Sequence, residues 1–514
     1  MSSLNAKARE FADSVRRAEY HQAEVAKKER DTELFHVIGA GGTISFVYEQ
    51  VRNAAENTED HLLMQRAIRR FYKRIFMTDE SSRLEATGEE LITELTLSGY
   101  LPNDSVPTEK VRSISALAHR YFQAYIALER RGGERQQAWS VDVLSIEIDQ
   151  LLRGRQSRDA FEQFIFDHFR TTVHESIVAE GKDFEPLLFV AIHRSLLKSN
   201  DAIIRWSLLR RYGRSPEQLD DYEQTNEYID SLLVPKRIKK LSHLISREGA
   251  VFRVLASMVL EQDGAINDID QPQKFLPAFE ASVIEAYQKV ESRIDRGVIR
   301  SIIFLIITKS LIGLAIEVPY DIVAHGHIAW LVLVVNLLVP PLYMLLLRLT
   351  LQLPDEANTA ALVAKADKIL YGEPAKQPAV RKSTQYNVAF NVVYGLIIIG
   401  MFSLVTWGLV SIGFMLVHLI IFLVFFSTAS FLGFRLSRMI RELEAVESRQ
   451  TTVAMVRDFI YLPFVVVGRK ISESYAKINI VSLVLDMFIE LPLKSVLRLV
   501  RQWGAFISSK KDEL

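Results

Sequence analysis

Apolar residues along this chain follow two patterns, and the change falls near residue 297. Up to that point they recur every three or four positions among charged residues, the spacing of helices with one buried face. The segments 45–57, 59–77, 108–131, 138–153, 158–180, 185–212, 237–261 and 275–296 read this way. Breakers separate most of them: Gly39 to Gly42, Pro102 to Pro107, Gly132-Gly133, Gly181, Gly213 to Pro216, and Gly264 to Pro272. Strand-type alternation is nearly absent, which predicts an all-α cytoplasmic domain over 1–297. At its start Leu4, Phe11, Ala18 and Val25 recur by seven, with Ala8 and Val15 between them. That is a short coiled-coil or bundle-packing stripe. Gln22 interrupts it, so a helix packed onto its own domain is expected.

Beyond 297 the apolar runs lengthen to cover 298–319, 327–351, 386–410 and 411–434. A hydrocarbon core of about 30 Å needs about 20 helical residues. All four runs meet that length, so four transmembrane helices are predicted over 298–434, with a cytoplasmic helical loop at 352–385. Pro340-Pro341 is expected to break or kink the second span. Segment 275–296 meets the first span with only Gly297 between, so one continuous helix is expected to join domain and bilayer.

The basic residues orient these spans. Arg293, Arg296 and Arg300 flank the first on its N-terminal side, Lys365, Lys368, Lys376, Arg381 and Lys382 lie between the second and third, and Arg435, Arg438 and Arg441 follow the fourth. The other two connections carry no Lys or Arg. Both termini are therefore expected in the cytoplasm.

The tail, 435–514, holds two further features. Phe459–Val467 is apolar but too short to cross, which suits an interfacial or re-entrant segment. Over 478–503, Asn479, Ser482, Asp486, Glu490, Lys494, Arg498 and Arg501 draw a narrow polar stripe along an otherwise apolar helix. A fifth span would bury Asp486 and Glu490. An amphipathic helix on the surface avoids that, and sets Lys494, Arg498 and Arg501 against anionic inner-leaflet phosphates.

Composition narrows the function. The 514 residues include 62 basic, 62 acidic and no cysteine. A disulfide framework, a zinc finger, an iron–sulfur site and a cysteine nucleophile are excluded. The balanced charge argues against a nucleic-acid coat. The charged first 34 residues lack the apolar core of a signal peptide. The final Lys511-Asp512-Glu513-Leu514 matches a lumenal retention signal, but a cytoplasmic tail would keep it from its receptor, so the match is read as coincidence. A prokaryotic plasma membrane is the expected location.

No motif names a reaction. Gly39-Ala40-Gly41-Gly42-Thr43 lacks the lysine of a phosphate loop and reads as a hinge. Glu33 to His36 is a single ExxH, where a di-iron bundle needs two. Asp263, Asn267, Asp268 and Asp270 miss the calcium-loop spacing. No metal, cofactor or catalytic group is assigned. Basic clusters stand at Arg66, Arg69, Arg70, Lys73 and Arg74, at Arg205, Arg210, Arg211 and Arg214, and at Lys236, Arg237, Lys239 and Lys240. Helix packing with a solvated face is expected of them, with lipid contact as the alternative.

Within the spans the polar candidates are Lys309, Asn336, Asn387, Asn391 and His418. No acidic residue lies in the central part of any span to pair with Lys309, so snorkelling or interhelical bonding is expected of them. The connection after the first span holds Glu317, Asp321, His325 and His327. These observations favour a non-enzymatic membrane scaffold whose helical domain binds a protein partner or a second copy. The alternative is an oligomeric channel or transporter subunit with the polar residues lining its path.

Overall fold

The computed structural model describes residues 3–29, 32–38, 45–46, 49, 62–77, 81–132, 134–154, 156–174, 183–261, 265–373, 388–445 and 461–472. The described residues are helical almost throughout, with a single isolated bridge between Leu34 and Pro107. Two compact units emerge among the described residues, one over Ala6–Ile245 and the other over 246–472, which also takes in Asn5.

The first unit contains α1 (Ala6–Glu29), α2 (Leu63–Met77), α3 (Thr87–Leu97), α4 (Thr108–Gly132), α5 (Glu134–Arg153), α6 (Gln156–Thr172), α7 (Phe184–Ser195), α8 (Asp201–Arg211), α9 (Leu219–Leu232) and most of α10 (Pro235–Glu248). The N-terminal stripe packs within its own unit: Ala8, Phe11, Val15 and Ala18 are buried, and Phe11 stacks on Phe164 of α6 at 4.6 Å. Helix α5 lies against α2, α4 and α8 and forms the centre of the core.

A single helix is expected over 185–212, but two form. Lys198 adopts a left-handed φ of 48°, and the Asn200 side chain accepts from Ile203 N, capping α8. Asn200 then donates to Gln65, and Gln65 to Ser145, so the cap is tied into the core. Helices α3 and α9 are not anticipated by the apolar pattern. Helix α9 is held by polar contacts: buried Arg205 donates to Asn226 and pairs with Asp230. The other basic clusters are also partly neutralised inside the unit. Arg69 pairs with Asp142, Arg70 with Glu49 at 2.8 Å, Arg74 with Glu94 at 2.8 Å, and Arg237 with Asp183 at 2.6 Å.

The second unit holds α11 (Ala250–Glu261), α12 (Pro272–Ile312), α13 (Val318–His325), α14 (Trp330–Thr350), α15 (Glu356–Leu370), α16 (Val388–Ser411) and α17 (Leu416–Arg441). Four of its helices are long and apolar enough to cross a membrane: Pro272–Ala324, Trp330–Thr350, Val392–Ser411 and Leu416–Arg441. The first of these runs through Gly297 without a break, as the sequence suggests, and its 53 residues far exceed the length that one crossing needs. A π-helical turn, Gly313–Glu317, joins α12 to α13. The expected outer connection is thus helical as far as His325, where Gly326 adopts φ 70° and ends it. Pro340 and Pro341 do not break α14. In a bilayer a prolonged helix remains the cheapest way to satisfy the backbone.

Helices α12, α14 and α17 pack on one another through Val298, Leu305, Met344 and Ala429. The closest approaches are at glycines. A Cβ on Gly433 would meet Leu347 Cδ2 at 2.0 Å, and one on Gly297 would meet Leu436 Cδ2 at 2.7 Å. The Gly297–Leu436 contact and the pairing of Arg348 with Asp295 and Glu291 bring the arginine-rich ends of the three helices to one level. Helix α16 is more peripheral and touches the bundle at Leu409. Outside the spans, Asn358 of α15 donates to Tyr287 OH and to the Leu443 carbonyl and accepts from Ala445 N, knitting three segments together.

Residues 461–472 form a helix that begins inside the short apolar segment of the tail. Phe464 packs on Phe402 at 4.6 Å and Phe426 at 4.9 Å, both near the middle of their helices. Gly468 lies so close to α17 that a Cβ there would sit 2.0 Å from the Ser427 carbonyl oxygen. Gly468→Val is therefore expected to cost at least about 1–3 kcal/mol through overpacking. Gly395→Ala, where a Cβ meets nothing within 4 Å, is the control. Thermal unfolding of the purified proteins in detergent checks the difference.

Candidate functional site

The polar residues of the bundle collect along one face of the α12–α13 helix. In an unbroken α-helix, positions 309 and 317 would face about 80° apart, since eight steps of about 100° overshoot two turns. The π-turn over Gly313–Glu317 advances more slowly, roughly 85° per residue, and returns position 317 to the face of Lys309. Lys309 Nζ donates to Glu317 Oε1 at 3.0 Å, and Asn336 Nδ2 of α14 donates to the same oxygen at 2.8 Å. All three are buried: Lys309 is 3% exposed, Glu317 1% and Asn336 0%. The Phe425 ring of α17 covers the ammonium, 4.8 Å from its centroid.

The expectation of an unpaired, snorkelling Lys309 is thus replaced by an internal ion pair. The sequence places Glu317 at the end of the span, and only the π-turn brings it into register. Gly313 and Pro319, which interrupt the apolar run, are the signals that would have suggested such a turn. At 3 Å, Coulomb attraction at an effective dielectric of about 20 is about 5 kcal/mol. Desolvation of each ion costs several kcal/mol. The two nearly offset, so the pair orders the bundle more than it stabilises it.

One turn beyond Glu317, Asp321 is also 1% exposed. Its Oδ2 accepts from Ala329 N, the residue preceding α14, at 3.0 Å. Its Oδ1 lies 3.2 Å from Nε2 of His418, in the first turn of α17, close enough for an ion pair but without a hydrogen bond between them. His418 is 1% exposed and flanked by the rings of Tyr320 and Phe414. Three buried polar atoms here have no hydrogen-bond partner: Asn336 Oδ1 and both ring nitrogens of His418. Of the five intramembrane candidates, the structure thus brings Lys309, Asn336 and His418 into one cluster and adds Glu317 and Asp321. Asn391 falls in the first turn of α16, while Asn387, Lys494, Arg498 and Arg501 lie outside the described residues. Among the described residues no group of three His, Asp or Glu side chains is arranged to hold a metal.

The first unit has a cleft of about 580 Å³, lined by Tyr121, Glu147, Gln150, Trp206, Arg210 and Arg214 among others. Tyr121 OH donates to Glu147 Oε1 at 2.9 Å. Burial pushes the Glu147 carboxyl above its usual range, with the tyrosine hydrogen bond and Arg120 opposing it. Arg210 is paired with Asp159 and Arg214 with Asp221.

Comparison with protein-family models, characterised proteins and solved structures finds no match for this chain.

Two outcomes follow. Lys309→Met alone is expected to cost about 3–5 kcal/mol by leaving Glu317 buried and unpaired, whereas Lys309→Met with Glu317→Leu recovers most of that. A double-mutant cycle on unfolding in detergent measures it. For Glu147, a carboxyl pKa raised by folding contributes stability below its unfolded value, and that contribution is lost as pH rises through the folded value. Glu147→Gln is therefore expected to raise the melting temperature near pH 7 relative to the native chain, and to lose that advantage near pH 4.

Proposed function

We propose that this is a non-enzymatic membrane interaction protein, in which the four-helix bundle anchors a helical body that binds a protein partner or a second copy of the chain. The observation that carries this reading is the buried Glu317 carboxylate, whose Oε1 accepts from Lys309 Nζ on its own helix and from Asn336 Nδ2 of α14, so that the buried ammonium is engaged in structural bonding. The pairing of Arg69, Arg70 and Arg74 within the Ala6–Ile245 unit also supports a packed binding body over a lipid-binding one.

The proposed orientation puts both termini in the cytoplasm of a prokaryotic cell, at the plasma membrane. The arginines that gather at one end of α12, α14 and α17 support it under the positive-inside rule. The tail over 478–503 would then lie on the inner leaflet, with Lys494, Arg498 and Arg501 against anionic headgroups.

The alternative, an oligomeric channel or transporter subunit, draws support from the second buried pair, Asp321 with His418. Ionisable residues inside a membrane often mark such paths.

Cross-linking of the full-length protein in native membranes is expected to yield a defined complex, either with another protein or with itself. Consistent recovery of the lone monomer would contradict the interaction role. Ion flux through reconstituted vesicles that disappears with Lys309→Leu would favour the alternative.

A further inference from the structure

The buried cluster carries an unbalanced charge unless one proton is added to it. Lys309, Glu317 and Asp321 are all buried, and in their ordinary ionised forms Lys309 would contribute one positive charge and Glu317 and Asp321 two negative ones. His418 is the fourth ionisable group in the cluster, 3.2 Å from Asp321. With a neutral imidazole the sum is −1, and with an imidazolium it is zero. An uncompensated charge in a low-dielectric interior is strongly disfavoured. Lys309 does not serve both acids, because its ammonium donates to Glu317 and Asp321 lies a turn further along the helix. The backbone N–H of Ala329 supports Asp321 as a carboxylate, as a helix N-terminus does for any anion.

We propose that Asp321 and His418 form an intramembrane proton-binding site, which takes one proton from water and balances the cluster. The proton adds to an imidazole nitrogen, no bond to carbon changes, and the partner of the imidazolium is the Asp321 carboxylate. Among the described contacts, Asp321 and Tyr320 of α13 face His418; Glu317 and Lys309 precede them on the same helix, and His325 and His327 follow in the chain. His418 Nδ1 is buried and without a hydrogen-bond partner, which leaves a second position for a water or a relayed proton. Access is short: Asp321 is five residues from Gly326, where the helix ends, and His418 is in the first turn of α17. This end of the bundle is opposite the arginine-rich one. The inference rests on the bundle spanning a membrane and is independent of any partner.

The test uses the full chain, labelled with ¹⁵N-histidine and embedded in lipid nanodiscs, with solid-state nitrogen spectra recorded from about pH 5 to about pH 9. The chain has 11 histidines, and His418→Gln identifies one signal by its loss. That signal is expected to convert between imidazolium and neutral ring within the range. In Asp321→Asn, which keeps an acceptor for Ala329 N, the pH at which that signal converts should be displaced by about one unit or more. A ring that stays neutral throughout overturns the proposal. So does a midpoint that Asp321→Asn leaves in place, or one that follows sodium concentration at fixed pH, which would make the site a cation site instead. If His418→Gln does not fold, Asp321→Asn alone decides, since it must move the midpoint of one imidazole and leave the others.

Discussion

A lysine that does not reach the interface and is enclosed in an apolar bundle needs something inside the protein to answer its charge, and the arrangement of the bundle follows from that constraint. Glu317 answers Lys309, Asn336 shares the same oxygen, and Phe425 closes over the ammonium. These contacts draw on α12, α14 and α17, the same three helices that share the apolar core. The π-turn is part of this solution. It costs regular hydrogen bonding over five residues and in return aligns an acid with a base eight positions away. A straight helix would leave Glu317 on a neighbouring face and Lys309 without its partner.

Elsewhere along the bundle the packing is close. Gly433 admits Leu347, Gly297 admits Leu436, and Gly468 admits the backbone of α17 at Ser427. Small residues let helices approach in lipid, where van der Waals contact and hydrogen bonds replace the hydrophobic drive. Helix α16 follows a different rule. Its surface is apolar nearly all round, and little of it is buried within the chain. The tightly packed helices carry the charged cluster, and the loosely held one carries none of its described members.

The Ala6–Ile245 unit relies on a different balance. Its helices are amphipathic, and several of its charged faces are paired within the unit. Arg205 is the clearest case, buried and shared between Asn226 and Asp230. Exposed pairs such as Arg210 with Asp159 add little to stability, since solvent screens them. The buried ones determine which helix lies against which, because an unanswered guanidinium in the core would cost far more than the pair returns.

Much of this organisation is legible in the amino-acid order. Run length and helical periodicity reveal the helical class, the four long apolar helices and the continuity through Gly297, because burial and lipid both act on local patterns. The stripe of Ala8, Phe11, Val15 and Ala18 is a buried face for the same reason. Other features escaped it. The break at Lys198–Asn200 depends on a side-chain cap, and α9 depends on Arg205, a residue of another helix. The cluster of Lys309, Glu317, Asn336, Asp321 and His418 joins three chain segments separated by up to a hundred residues. Sequence determined which residues are apolar enough to enter a membrane and which few charges must enter with them. Which charge meets which was decided only in three dimensions, because pairing depends on helix phase and on crossings between distant segments, and neither is written in local periodicity.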